Sequence, residues 1–131
     1  MQPILKHSKQ RDAILNMLRS RYDHPTAEQL YNDLKEEFPR LSLGTVYRNL
    51  SLLESMGEIL KISAAGTCDR YDGNPGEHYH FVCESCSRVD DVDVPVITNL
   101  NNEVQTAMGA RVNKHTTLFF GTCRECSDSM S

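Results

Sequence analysis

Cys83-Glu84-Ser85-Cys86 and Cys123-Arg124-Glu125-Cys126 are two Cys-x-x-Cys pairs in one small chain, with 36 residues between them. Two intervening residues let both sulfurs of a pair face one point from a tight turn. Two such turns close a tetrahedron, the geometry of zinc held by four thiolates. Four thiolates leave no open position, so the spacing predicts a structural Zn(II) that ties the end of the chain back to its middle. Two disulfides or a thioredoxin-type redox pair is the alternative, and no thioredoxin-like context surrounds either pair. Cys68 is left over and reads as an ordinary surface thiol.

A second constellation is His78-Tyr79-His80. In a strand, residues i and i+2 point to one face, so both imidazoles can meet one ion. Asp72 lies six residues earlier, Asp90 and Asp91 fall on the next strand, and His24 precedes the second helix. Imidazoles with carboxylates form an N/O set that suits Fe(II), Mn(II) or Zn(II) and differs from the thiolate site. His-x-His alone is a weak signal, and plain surface or core histidines are the alternative.

These groups need elements to position them. Ser8 can cap a helix to about Arg21 that turns Ile14, Leu15 and Leu18 to one side. Thr26-Ala27-Glu28-Gln29 is a capping box for a second helix, with Leu30, Tyr31, Leu34 and Phe38 inward and Pro39 at its end. Ser42 starts a third, in which Val46, Leu50 and Leu53 recur at helical spacing, and Gly57 stops it. Two strands follow, about Glu58–Ser63 and Thr67–Tyr71, joined by Ala64-Ala65-Gly66. This order predicts a winged helix-turn-helix over residues 1–71. Residues 72–76, Asp72-Gly73-Asn74-Pro75-Gly76, read as a hinge. Residues 77–131 read as a second, metal-binding domain of strands and one helix, the part to which the resemblance described below assigns dimerisation. Its expected elements are a strand at Tyr79–Val82, the first zinc turn, a strand at Arg88–Val92 and a helix from Pro95. Val96, Ile97, Leu100, Val104 and Met108 line one side of that helix and Gly109 ends it. A long strand at Arg111–Phe120 and the second zinc turn complete the domain. The fold class is α/β (α+β) with a four-cysteine zinc site. Each part has about 60 residues and buries little core alone, so zinc and dimerisation are expected to supply the deficit.

The third helix is the expected DNA reader. With Val46, Leu50 and Leu53 inward, Thr45, Tyr47, Arg48 and Ser51 lie wholly or partly outward. Arginine can take guanine in a bidentate pair, and tyrosine can reach a phosphate or a thymine methyl. Lys9 and Arg11 would contact backbone. An ordinary solvated helix face is the alternative. The net charge of −4 hides an asymmetry: residues 1–22 carry Lys6, Lys9, Arg11, Arg19 and Arg21 against Asp12. Residues 72–131 carry nine acids against Arg88, Arg111, Lys114 and Arg124. DNA contact is therefore expected on the first part. No stretch is apolar enough to span a membrane and residues 1–10 hold no signal-peptide core, which predicts a soluble cytoplasmic protein.

His24-Pro25-Thr26-Ala27-Glu28-Gln29-Leu30-Tyr31, Thr45-Val46-Tyr47-Arg48-Asn49-Leu50, Arg70-Tyr71-Asp72, His78-Tyr79-His80-Phe81-Val82-Cys83 and Gly121-Thr122-Cys123-Arg124-Glu125-Cys126 together resemble the Fur family of metal-dependent repressors. The likeness covers almost the whole chain, in order. It implies a winged-helix domain plus an α/β dimerisation domain, a homodimer, and a palindromic double-stranded DNA operator. It implies no small-molecule substrate and no enzymatic activity. Within the family the chain is similar to the peroxide-sensing PerR branch. That likeness implies a regulatory Fe(II) or Mn(II) on His24, Asp72, His78, His80 and Asp91, with His24 and His78 as the oxidation-sensitive ligands. The iron-sensing branch has glutamates at the two carboxylate positions, where this chain has Asp72 and Asp91. A further site of iron sensors uses His and Asp flanking His-x-His; here Glu77 and Tyr79 stand there, although His115 survives. Ser8-Lys9-Gln10-Arg11 departs from the usual Thr-Pro-Gln-Arg, and the helix that often precedes it in the family is not expected from residues 1–7. An iron- or zinc-sensing member of the family is the nearest alternative. A metallohydrolase built on His-x-His is the alternative of another class.

Overall fold

A computed structural model describes residues 8–64 and 68–129 and divides the chain into two compact units, Met1–Pro75 and Gly76–Ser131. In the first, α1 (Lys9–Arg19) opens at Ser8, whose hydroxyl accepts from the Arg11 N–H. Helix α2 (Ala27–Leu34) opens on a full capping box between Thr26 and Gln29. Helix α3 (Leu43–Ser55) is capped by Ser42, whose hydroxyl accepts from the Thr45 N–H. Ile14, Leu18, Leu30, Val46, Leu50 and Ile59 interlock at 0–1% exposure where the three helices meet. Each such side chain contributes about 1.5–3 kcal/mol on burial. Gly57, at φ 76, turns the chain out of α3.

Strands β1 (Leu60–Ile62) and β2 (Arg70–Asp72) then pair antiparallel, with Leu60 opposite Asp72. The expected Ala64-Ala65-Gly66 connection lies partly outside the described residues. Two expectations need correction here. Helix α2 stops at Leu34 rather than running to Pro39; the turn that follows carries Phe38 onto the same core, so the apolar period outlasts the helix. Asp72 is not a hinge residue. It is the last residue of β2 and is buried.

The second unit is a three-stranded sheet in the order β4-β3-β5. Central β3 (Tyr79–Cys83) pairs antiparallel with β4 (Val89–Val92) and parallel with β5 (Leu118–Gly121). A parallel partner requires a crossover, and α4 (Leu100–Met108) lies in it. The expected helix from Pro95 begins only at Leu100, and Gly109, at φ 68, ends it. The expected strand from Arg111 is confined to Leu118–Gly121. A last short helix, α5 (Arg124–Ser129), was not foreseen. No residue of α4 is buried, and Val104 and Met108 stand exposed with Val94, Ile97, Phe119 and Phe120. Among the described residues no helix is long and apolar enough to cross a membrane.

Candidate functional site

The parallel pairing of β3 and β5 explains why the two cysteine turns meet. Cys83, the last residue of β3, lies opposite Gly121, the last residue of β5, and the Glu84 N–H donates to the Gly121 carbonyl at 2.7 Å. Both turns therefore leave the sheet side by side. Ser87, at φ 65, closes the first, its N–H returning to the Cys83 carbonyl. The ligand atoms of Cys83, Cys86, Cys123 and Cys126 all lie within 4.8 Å of one another. The Cys86 and Cys123 sulfurs are 3.8 Å apart. Zn–S bonds of about 2.3 Å give a tetrahedron with edges of about 3.8 Å, so the donor set fits zinc. Backbone N–H groups of Cys123 and Cys86 point at the Cys83 sulfur from 3.3 and 3.4 Å. They draw its thiol down to about 6. Hydrogen bonding with the Cys123 and Cys86 thiols instead pushes Cys126 up to about 12. Four thiols so close cannot all ionise by themselves, and a bound cation is what lets them.

The His-x-His strand builds a second donor set within the same unit. Strand β4 runs antiparallel to β3 and sets Asp91 opposite His80. Asp91 Oδ1 lies 3.0 Å from His78 Nε2 and 3.3 Å from His80 Nε2. Metal–ligand bonds of about 2.0–2.2 Å separate neighbouring ligand atoms by about 3.0–3.4 Å, so each histidine nitrogen stands at ligand spacing from the Asp91 oxygen. His78 Nδ1 is 2.7 Å from the Gly76 carbonyl, which can only accept. Nδ1 therefore carries a hydrogen, which leaves Nε2 to face the carboxylate oxygen. That contact needs a cation, either a proton on Nε2 or a metal ion between the two atoms. Asp90, the other acid of this strand, pairs instead with Arg88.

Between His78 and His80, Tyr79 points to the opposite face of the sheet. Its hydroxyl accepts from the Ile97 N–H at 2.9 Å and meets His115 Nε2 at 3.1 Å, while His115 Nδ1 donates to Asn101 at 2.6 Å. The hydroxyl proton therefore goes to His115, whose Nε2 is taken up in this chain of bonds.

The first unit holds the remaining two residues named from the sequence. His24 and Asp72 are both buried, with Nε2 to Oδ2 at 3.2 Å. The Asn74 N–H donates to the other Asp72 oxygen at 2.9 Å and leaves Oδ2 to face the ring. Gly73 makes this placement possible: a Cβ there would stand 2.6 Å from the Leu18 carbonyl carbon, so the chain passes flush against the end of α1. His24 itself has φ 51, left-handed backbone in a residue that carries a side chain. That conformation costs on the order of 1–2 kcal/mol outside glycine.

Along α3, Tyr47, Arg48 and Ser51 are exposed and Thr45 is half-buried. Lys9 is exposed and Arg11 half-buried at the start of α1. Cys68 is exposed. In Arg70-Tyr71-Asp72 the residue types single out only the acid, yet the Arg70 guanidinium donates to the His24 carbonyl at 3.1 Å. The signal was present, since residues i and i+2 of a strand share a face.

A three-helix unit with a two-stranded wing, joined to a small sheet that carries a thiolate set and an imidazole–carboxylate set, is the make-up of a metal-responsive transcription regulator. Residues 3–120 match the Ferric uptake regulator family, and the chain belongs to it. It is 32% identical over 124 residues to the peroxide-responsive repressor PerR of Staphylococcus aureus (strain Mu50 / ATCC 700699), covering 95% of this chain and 84% of that one. Among solved structures it is similar to the ferric uptake regulator Fur of Helicobacter pylori, with a TM-score of 0.81 and 30% identity over 97% of this chain and 85% of that one. It is also similar to the peroxide stress regulator of Campylobacter jejuni, with a TM-score of 0.78 and 30% identity over 89% and 88% of the two chains. Regulators of this family bind DNA and form dimers.

Proposed function

We propose that this chain is a cytoplasmic, metal-dependent repressor that releases its operator when peroxide oxidises a ligand histidine. The observation that carries the reading is the pair of histidine nitrogens converging on Asp91, with His78 fixed in the tautomer that offers Nε2. His24 and Asp72 form the other half of the set. Neither half fills a coordination shell alone, and the proposal is that His24, Asp72, His78, His80 and Asp91 take one ion between them. Iron(II) held there would supply the electrons that reduce peroxide, whereas manganese(II) would supply the clamp alone.

The residues do the rest. His24 and Asp72 belong to the unit that carries α3, and His78, His80 and Asp91 to the unit that carries the sheet. Shared ligation would fix one unit against the other and so select the shape that binds DNA. Two copies would present two α3 helices to the half-sites of a palindromic operator, with Arg48 and Tyr47 at base edges or phosphates and Lys9 and Arg11 on backbone. The exposed apolar residues of the second unit and the outer edge of β5, which pairs with no strand among the described residues, support dimerisation there. His24 and His78 would be the first groups met by an oxidant made among these ligands, and an oxidised ring ceases to hold its place. The clamp then opens. Asp72 and Asp91, where the iron-sensing branch has glutamate, are the reason for choosing the peroxide branch.

The TM-score of 0.81 to an iron regulator favours a second reading, a plain metal sensor. Fluorescence anisotropy on a palindromic operator separates the two. The Mn(II) and Fe(II) proteins should both bind, and mild peroxide should release only the Fe(II) protein. Equal resistance of both would favour the plain sensor. Metal-independent binding would remove the regulatory site from the account. Membership of a family of transcription regulators supports a regulator rather than a metallohydrolase, for which a metal-dependent hydrolysis assay is the test.

A further inference from the structure

Among the described residues only His24 and Ser87 combine a side chain with left-handed backbone, and of the two only His24 is buried. A connection between two helices does not need this. Glycine or asparagine would hold the same turn with less strain. A strained backbone persists where its surroundings over-determine it, and such residues gather at functional sites.

The surroundings here come mostly from β2. Residues 70 and 72 of a strand share a face. From that face the Arg70 guanidinium donates to the His24 carbonyl at 3.1 Å, and the Asp72 carboxylate stands 3.2 Å from the His24 ring. The backbone between them is tied as well: Thr26 bridges to Arg70, and the Tyr71 N–H donates to the Pro25 carbonyl at 3.0 Å. On the other side, Arg21 grips Asp23 through two hydrogen bonds of 2.9 and 2.6 Å and reaches Asp33 of α2 at 2.6 Å. His24 is thus held by its carbonyl, by its ring and by its preceding neighbour.

We infer that Arg70 is a positioning residue of the regulatory metal site: by holding the His24 carbonyl in the left-handed turn, it aims the imidazole at the ion shared with Asp72 and so sets the affinity of the site. The inference rests on the reading of His24 as a ligand. Arg70 touches no ion itself. It acts through His24, as groups that orient a metal ligand commonly do, and their loss typically costs tenfold or more in affinity.

The test is Mn(II) titration of the full-length zinc-loaded protein, followed by the electron paramagnetic resonance of free Mn(II). Parent, Arg70→Ala, Arg70→Lys and His24→Ala proteins are compared, with zinc content, dimer mass and the thermal midpoint of the Mn-free protein measured in parallel. Arg70→Ala should bind Mn(II) about tenfold more weakly, with zinc, mass and Mn-free midpoint near those of the parent. Arg70→Lys, which keeps one charged donor, should recover part of the loss. Arg70→Ala within twofold of the parent, beside a His24→Ala protein that has lost binding, would overturn the positioning role and leave the ligand reading intact. A His24→Ala protein with parental affinity would bring down the ligand reading itself. A loss in Arg70→Ala matched by a collapsed Mn-free midpoint would make Arg70 merely structural. If Arg70→Ala does not fold, Arg70→Lys decides: weaker Mn(II) binding at an unchanged midpoint supports the inference, and unchanged binding overturns it.

Discussion

Gly73→Ala is a one-carbon change whose effect can be worked from distances. The added Cβ would stand 2.6 Å from the Leu18 carbonyl carbon, 2.7 Å from the Arg19 nitrogen and 2.7 Å from the Leu18 oxygen. Ordinary contact begins at 3.4 Å, so the gap must open by 3.4 − 2.6 Å, about 0.8 Å. Both sides are backbone and no flexible side chain can absorb the shift. One side is the last turn of α1, fixed by buried Leu18, and the other follows buried Asp72 in β2. Overpacking of this kind costs about 1–3 kcal/mol. For a unit of this size each kcal/mol lowers the thermal midpoint by about 4–8 °C. The clash falls on the residue next to Asp72, whose carboxylate faces the His24 ring at 3.2 Å, so Mn(II) affinity should fall as well. Differential scanning calorimetry and Mn(II) titration of the zinc-loaded protein measure the two effects. A midpoint within about 1 °C of the parent together with unchanged Mn(II) affinity would refute the steric reasoning and the dependence of the Asp72 position on it.

Two further outcomes follow from the sites. Cys123→Ser should lose zinc and unfold or monomerise, because the binding energy of a structural zinc is folding energy; a stable zinc-free dimer on light scattering would contradict this. Arg48→Ala should weaken operator binding by about 1–3 kcal/mol while zinc content and dimer mass stay parental, and unchanged anisotropy would mean that α3 has been given the wrong role.

Much of the first unit was legible because its helix starts are chemical. Ser8, Thr26 with Gln29, and Ser42 each satisfy N–H groups that a helix start leaves open. Helix ends were less legible. Phe38 keeps the period of α2 although the chain between has turned, so periodicity overran the helix. Pro95 suits a first helical turn but also suits the loop that it occupies, and only α4 from Leu100 remained. The cysteine set was readable from spacing alone. That Cys83 and Cys123 meet because β3 and β5 run parallel was not, since register is a tertiary property. His78, His80 and Asp91 were named from the sequence and stand together in the structure. Asp72 was named too, but in a composition that reads as a hinge; burial and pairing with Leu60 override local turn preference. Arg70 escaped notice because its partner is a carbonyl, which no residue type announces.

If a ligand histidine senses peroxide, peptide mass spectrometry of the Fe(II) protein before and after mild peroxide will record it. A gain of one oxygen, about 16 mass units, is expected on the peptide containing His24 or the one containing His78, ahead of oxidation at methionines. Met108, at 71% exposure, and Met56, at 46%, are internal controls for an oxidant acting from solution. The Mn(II) protein should gain nothing on either histidine peptide. Oxidation confined to Cys68 or to the zinc cysteines would indicate a thiol switch, and unmodified histidines in a peroxide-treated Fe(II) protein that still binds its operator would refute sensing by a ligand histidine.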